Sequence, residues 1–188
     1  MTGLFKRARG GGAQLTLDPV EASILRNLMV QMLELIGPGP GGDTPEDPLA
    51  ALFAEGPSKA PADPALARLF PDAYAEGPDA AEHSAEFRRF TENDLRARKR
   101  EDAFALIRAI DAAEDTRRGD LRLTLDEEGC RRALGALNDL RLTLGTRLGV
   151  SEDDEDLYSL PDEDERKPLV MAYLWLGGLQ ETLIETMM

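Results

Sequence analysis

Apolar side chains recur along this chain in two rhythms. Between Pro19 and Ile36 they fall at helical spacing, with Val20, Ile24, Leu25, Leu28, Met29, Met32, Leu33, Leu35 and Ile36 in one wide stripe. Upstream, residues 13–17 (AQLTL) alternate, and with residues 3–9 (GLFKRAR) across Gly10-Gly11-Gly12 they predict a β-hairpin. Asp18 stands between the rhythms as a helix N-cap. Pro19 takes the first helical position and Glu21 lies three residues after the cap, which is a capping-box pattern. Gly37-Pro38 ends the helix.

The word LTLD at Leu15–Asp18 returns at Leu123–Asp126. Leu121–Leu125 alternates as a strand, Asp126 caps a second helix, and Gly145 follows Asp126 at the distance at which Gly37 follows Asp18. Positions apolar in both copies (25 and 133, 28 and 136, 29 and 137, 32 and 140, 36 and 144) trace one helical face. The pattern predicts a strand–cap–helix unit occurring twice, with the two LTL strands in one small sheet and their helices packed on its face.

After PALARLFPDAY, Asp79 and Glu82 repeat the cap logic and open the longest helical stretch, predicted to run to about Glu114. Phe87, Phe90, Leu95, Phe104, Ile107 and Ile110 supply its expected apolar side, while Arg88, Arg89, Arg96, Arg98, Lys99 and Arg100 crowd the remainder. These bases meet Glu92, Asp94, Glu101 and Asp102 at helical spacing, so they read either as a solvated, salt-bridged face or as a partner-binding face. A last helix, Lys167 to about Met187, carries Leu169, Tyr173, Leu174, Leu176, Leu179, Leu183 and Ile184 as expected core residues, with Trp175 as a packing anchor. Gly177-Gly178 within it predicts a close helix crossing or a kink. The fold class expected is mainly α with a small antiparallel β-sheet, in a single domain over residues 1–188. A Pro/Gly-rich loop or linker is expected at about 37–64, with one turn of helix at Leu49–Ala54.

Composition narrows the functional classes. A chain of 188 residues can bury a full core without staples, and its single cysteine, Cys130, excludes an internal disulfide and points to a reducing compartment. No apolar run approaches the roughly 20 residues of a membrane helix, and the start MTGLFKRARGGG lacks an apolar signal-peptide region, so a cytoplasmic location without membrane contact is expected. The net charge of −14 repels polyanions, which disfavours direct DNA binding. Part of the acidic excess is a patch: the run SEDDEDLYSLPDEDE holds no base. It lacks the spacing and glycine turn that wrap calcium, so it reads as a solvated loop.

Phosphate-cradling loops, the GxSxG elbow and HExxH are missing from the sequence, and neither enzymatic activity nor a cofactor is expected. His83 reads as surface. Cys130 lies in the first turns of its helix, where the dipole lowers a thiol pKa and Arg131 and Arg132 help, while Asp126, Glu127 and Glu128 oppose. Its spacing to Ala133, Leu134 and Leu137 sets it beside the apolar stripe, so an inert buried thiol stands against a redox role.

Three ordered words carry a resemblance: AEFRRFTENDLR (Ala85 to Arg96), LNDLRLTLGTRLG (Leu137 to Gly149) and YLWLGGLQETLIETM (Tyr173 to Met187). With them the chain resembles the actinobacterial AosR-like oxidative-stress regulator family. The resemblance implies a cytoplasmic, redox-responsive transcription modulator that contacts an extracytoplasmic-function sigma factor or RNA polymerase and raises cysteine-biosynthesis genes; a homodimer is compatible with it. The family's described member is understood to sense oxidant through an internal disulfide, and this sequence departs from that pattern by having Cys130 alone. Any sensing here would pass through an intermolecular or mixed disulfide. The alternative function is an adaptor or scaffold in proteolysis or the stress response.

Overall fold

A computed structural model describes residues 3–38, 55–151 and 160–188. The first strands are β1 (Phe5–Arg7) and β2 (Ala13–Leu17), followed by helix α1 (Pro19–Ile36). Two helices come next, α2 (Pro64–Leu69) and α3 (Ala80–Asp111), then β3 (Glu114–Asp115), β4 (Leu121–Leu125), α4 (Glu127–Leu148) and α5 (Lys167–Met187). The strands form one antiparallel sheet in the order β1-β2-β4-β3. Ala13, Leu15, Leu17, Leu123 and Leu125 point into the core, and Thr16, Arg122 and Thr124 point out.

The two LTL strands pair with each other directly, Leu15 opposite Leu123 and Leu17 opposite Leu121. Leu15 and Leu123, which correspond in the repeat, therefore sit face to face at the centre of the pairing. The repeat also reaches further back than LTLD. Lys6 pairs with Gln14 and Arg7 with Ala13; at the same offset, Glu114 pairs with Arg122 and Asp115 with Leu121. Both hairpin turns close alike, by Ala8 N to Gly12 O (3.1 Å) and Gly11 N to Ala8 O (3.2 Å) in one copy, and by Thr116 N to Asp120 O (2.8 Å) and Gly119 N to Thr116 O (3.0 Å) in the other. Gly11 (φ 93°) and Gly119 (φ 85°) occupy the same left-handed position, which favours glycine. The repeated unit is thus hairpin, cap and helix.

Both caps form. The Asp18 carboxylate accepts from the backbone N–H groups of Val20 and Glu21, and the Glu21 carboxylate accepts from Asp18 N, completing the capping box. Asp126 accepts from Gly129 N. The shared stripe is buried as predicted, with Leu28 half-buried, whereas Val20 is 66% exposed. Gly145 does not end its helix. α4 continues to Leu148 and closes on Gly149 at φ 68°, while the bare Cα of Gly145 gives room to the Tyr173 ring, which would lie 3.2 Å from an added Cβ.

Other expectations are revised. The long helix stops at Asp111, short of Glu114, because the chain turns there into the β3–β4 hairpin. Asp79 precedes it without a side-chain cap hydrogen bond. α2 is a separate short helix, capped by Asp63, whose carboxylate accepts from Leu66 N. In α5, Trp175, Leu176, Leu179 and Leu183 enter the core but Ile184 is exposed; Gly177 faces the Arg141 guanidinium, and Gly178 has open space above it. The helical turn expected at Leu49–Ala54 lies outside the described residues, as does most of the acidic run. No helix among the described residues is long and apolar enough to cross a membrane.

Candidate functional site

Helix α3 buries Ile107 and Ile110 as expected, but toward its N-terminus it is amphipathic in the opposite sense to the expectation. Its N-terminal half turns Arg88, Glu92 and Arg96 inward at 4%, 3% and 3% exposure, and leaves Phe87 and Phe90 outward at 50% and 62%. The three charged residues lie at successive i, i+4 positions, so their side chains stack on one face. Glu92 uses one carboxylate oxygen for each neighbour: Arg88 donates to Oε2 at 2.5 Å and Arg96 to Oε1 at 2.6 Å.

The guanidiniums also meet helix ends. Arg96 donates to the carbonyl of Ile36, the last residue of α1, and its guanidinium stacks on the Phe70 ring at 4.3 Å. Arg100 reaches Leu33 O at 3.4 Å. Arg88 donates to Phe70 O, the C-cap of α2, at 3.0 Å and to Asp72 at 2.8 Å. α1 has no base in its own last turn, so α3 supplies the positive charge that complements its unsatisfied carbonyls and dipole. The solvated-face reading fails for Arg88, Glu92 and Arg96 for this reason.

The remaining bases of that helix are dispersed. Arg89 is half-buried, pairs with Glu55 at 3.7 Å and lies over the Phe90 ring at 4.8 Å; Lys99 binds Asp139 of α4 at 2.6 Å; Arg98 is exposed. The six bases therefore form no common face. Burial pushes the Asp139 carboxyl up from its ordinary range, against the Lys99 ammonium beside it.

What the ladder holds in place is an aromatic surface. Ser84, 3% exposed, accepts from Tyr74 N at 3.0 Å and donates to Tyr74 O at 3.1 Å. The Tyr74 ring then meets His83 and Phe87 edge-on at centroid distances of 5.7 and 6.5 Å. Phe90 follows Phe87 on the same outward face. His83 is exposed, as expected. The spacing of Arg88, Glu92, Lys99, Ala103, Leu106 and Ile110 along one helical face was the signal available for the inversion: the apolar residues at its C-terminal end continue the line of the charges.

Cys130 is 1% exposed and belongs to the core beneath the sheet, its Sγ 3.9 Å from Leu125 O. Burial raises its thiol pKa, with Asp126 and Glu127 adding to the rise; a hydrogen bond from the Ala13 backbone and the charge of Arg131 only partly offset them. The helix N-terminus does not make this thiol a thiolate, because its side chain points into the core.

The family model described as "Domain of unknown function (DUF2017)" matches residues 1–187. The chain belongs to this family. Its curated relatives include proteins named "Oxidative stress regulator AosR" from Mycobacterium tuberculosis and Mycobacterium bovis, each 31% identical over 92% of this chain and 81% of the relative. A "Putative oxidative stress regulator AosR" from Mycobacterium leprae is 28% identical over 96% of this chain and 85% of the relative. The AosR-like resemblance of the chain is thereby established. No solved structure matches the chain.

Proposed function

We propose that this protein is a cytoplasmic, non-enzymatic transcription modulator of the oxidative-stress response that acts by contacting a sigma factor or RNA polymerase. The observation that carries this reading is kinship over nearly the whole chain to proteins named oxidative stress regulators. The geometry supports a binding role, since the outward face near the start of α3 is an aromatic surface backed by a buried charge ladder. Its sensing chemistry departs from an internal disulfide: these 188 residues contain one cysteine, and that cysteine is buried. Contact with the partner, not reaction at Cys130, is the activity of the folded chain in this reading.

The test is affinity purification of the full chain from peroxide-treated and untreated actinobacterial cells, followed by mass spectrometry. Recovery of a sigma factor or polymerase subunits at near-stoichiometric amounts is the expected result. Recovery of protease subunits without them would replace this reading with the adaptor function.

A further inference from the structure

The outward face of α3 combines two properties that together define a ligand chemistry. Tyr74, His83, Phe87 and Phe90 present rings to solvent, and Tyr74 is fixed by both of its backbone hydrogen bonds to Ser84. The Tyr74 loop is tied down from the inside as well, by Arg88 to Phe70 O and Asp72. Such anchoring lowers the entropy lost when a surface binds. Large aromatic side chains held exposed in this way are the groups that anchor protein interfaces.

The frame around the rings is predominantly acidic, Arg89 beside Phe90 being its one partly exposed base. Between residues 71 and 97 the fully solvent-facing ionised residues are carboxylates: Glu76, Asp79, Glu82, Glu86 and Asp94, with Asp72 paired to Arg88. The bases of that stretch are engaged: Arg88 and Arg96 turn into the ladder, and Arg89 pairs with Glu55 while its guanidinium lies over one side of the Phe90 ring. The first exposed base is Arg98, one turn beyond.

We infer that this face docks a basic amphipathic helix of a partner protein, its apolar stripe on Phe87 and Phe90 and its lysines or arginines on the surrounding carboxylates. Charge complementarity selects this occupant. Residues 39–54 of the chain carry acids and no base, and a second copy brings a net charge of −14, so neither supplies the positive charge that an acidic frame complements. An apolar helix face laid on the rings uses the i, i+3, i+4 anchors of helix-in-groove recognition. The inference rests on the binding role proposed above and gives that role its surface.

The probe is a synthetic Leu/Lys peptide with leucines at helical i, i+3, i+4 spacing, measured by fluorescence anisotropy at physiological salt. A scrambled Leu/Lys peptide of equal charge and a Leu/Glu counterpart serve as comparisons. The amphipathic basic peptide should bind at least about tenfold more tightly than either comparison. The Phe87→Ser/Phe90→Ser variant should weaken it by at least about tenfold, as interface anchors do. Glu82→Lys/Glu86→Lys, which leaves the rings in place, should weaken it several-fold and flatten its salt dependence. Leu4→Ser, an exposed leucine outside α3, should change nothing. Equal binding of the scrambled peptide, or unchanged binding by the folded double-Phe variant, would overturn the inference, as would concentration-dependent dimerisation that this variant abolishes. Purification from cells separates the two proposals. A double-Phe variant that still recovers the sigma factor sinks this surface and leaves the regulator reading standing, whereas peptide binding without sigma factor or polymerase recovery from wild type sinks the regulator reading alone.

Discussion

Replacing Glu92 by leucine tests the charge ladder most directly. The substitution fits the space of the aliphatic stem and removes the carboxylate shared by Arg88 and Arg96, whose side chains are each 4% exposed. Breaking a buried ion pair costs about 3–5 kcal/mol, because an uncompensated charge stays behind. Here one carboxylate serves two guanidiniums, which moves the expectation to the upper part of that range. The carbonyls of Ile36 and Phe70 and the Asp72 carboxylate remain as partial partners and keep it from going higher. About 4 kcal/mol corresponds to a fall in Tm of roughly 10 °C for a domain of this size. The triple variant Arg88→Met/Glu92→Leu/Arg96→Met removes the charges together with their desolvation cost. It should return most of the lost stability, to within about 2 kcal/mol of wild type, the shortfall reflecting the uncapped ends of α1 and α2. Urea unfolding followed by far-ultraviolet circular dichroism measures both. A loss below about 1 kcal/mol in the single variant, or a triple variant no better than the single one, would refute the reasoning.

Three further outcomes follow from the geometry. Gly12→Ala should destabilise by well over the roughly 1 kcal/mol of an ordinary glycine change, because Gly12 sits at φ 75° and an added Cβ would lie 2.0 Å from Leu125 O; Gly10→Ala, with open space, should be near neutral in the same melting assay. Asp139 has its folded-state pKa raised by burial, so its ionised form costs stability at neutral pH and the cost disappears as pH falls through that pKa; Lys99→Met should move the titration higher still, as read from the carboxyl carbon by NMR, and an unmoved titration would remove Lys99 from the account. Cys130 should react with a thiol reagent orders of magnitude more slowly than the unfolded chain, and rapid native labelling that accompanies a peroxide effect on partner binding would restore it as a sensor.

Much of the frame was legible because it obeys local rules. Asp18, Pro19 and Glu21 specify a helix start from within four residues, and LTL beside a cap specifies a strand wherever it stands. The pairing of β2 with β4 followed from the recurrence of the pattern. The candidate site was not legible in the same way. On α3, phenylalanines were assigned inward and arginines outward, as hydropathy alone requires. The inward face receives the carbonyl ends of α1 and α2, and those ends come from distant parts of the chain. Cationic side chains satisfy them where apolar ones cannot. A sequence read one helix at a time contains no record of which helix ends will converge on it.

The hairpin–cap–helix units have a consequence for how such a chain assembles. Since Leu15 and Leu123 are both equivalent in the repeat and opposite in the sheet, the β2–β4 seam has the geometry of a strand paired with its own copy across a two-fold axis. Two separate copies of one such unit, a hairpin and its helix, have the symmetry to build the same four-stranded sheet as a homodimer. Carrying both units in one chain makes intramolecular an interface that would otherwise depend on concentration. It also leaves the join free to carry something a symmetric dimer could not. α2 and α3 occupy that join, between the copies. Among the described residues, their buried charge ladder and outward rings have no counterpart after the second copy, so the surface that would recognise a partner exists there once per molecule, and binding at it would proceed with one-to-one stoichiometry.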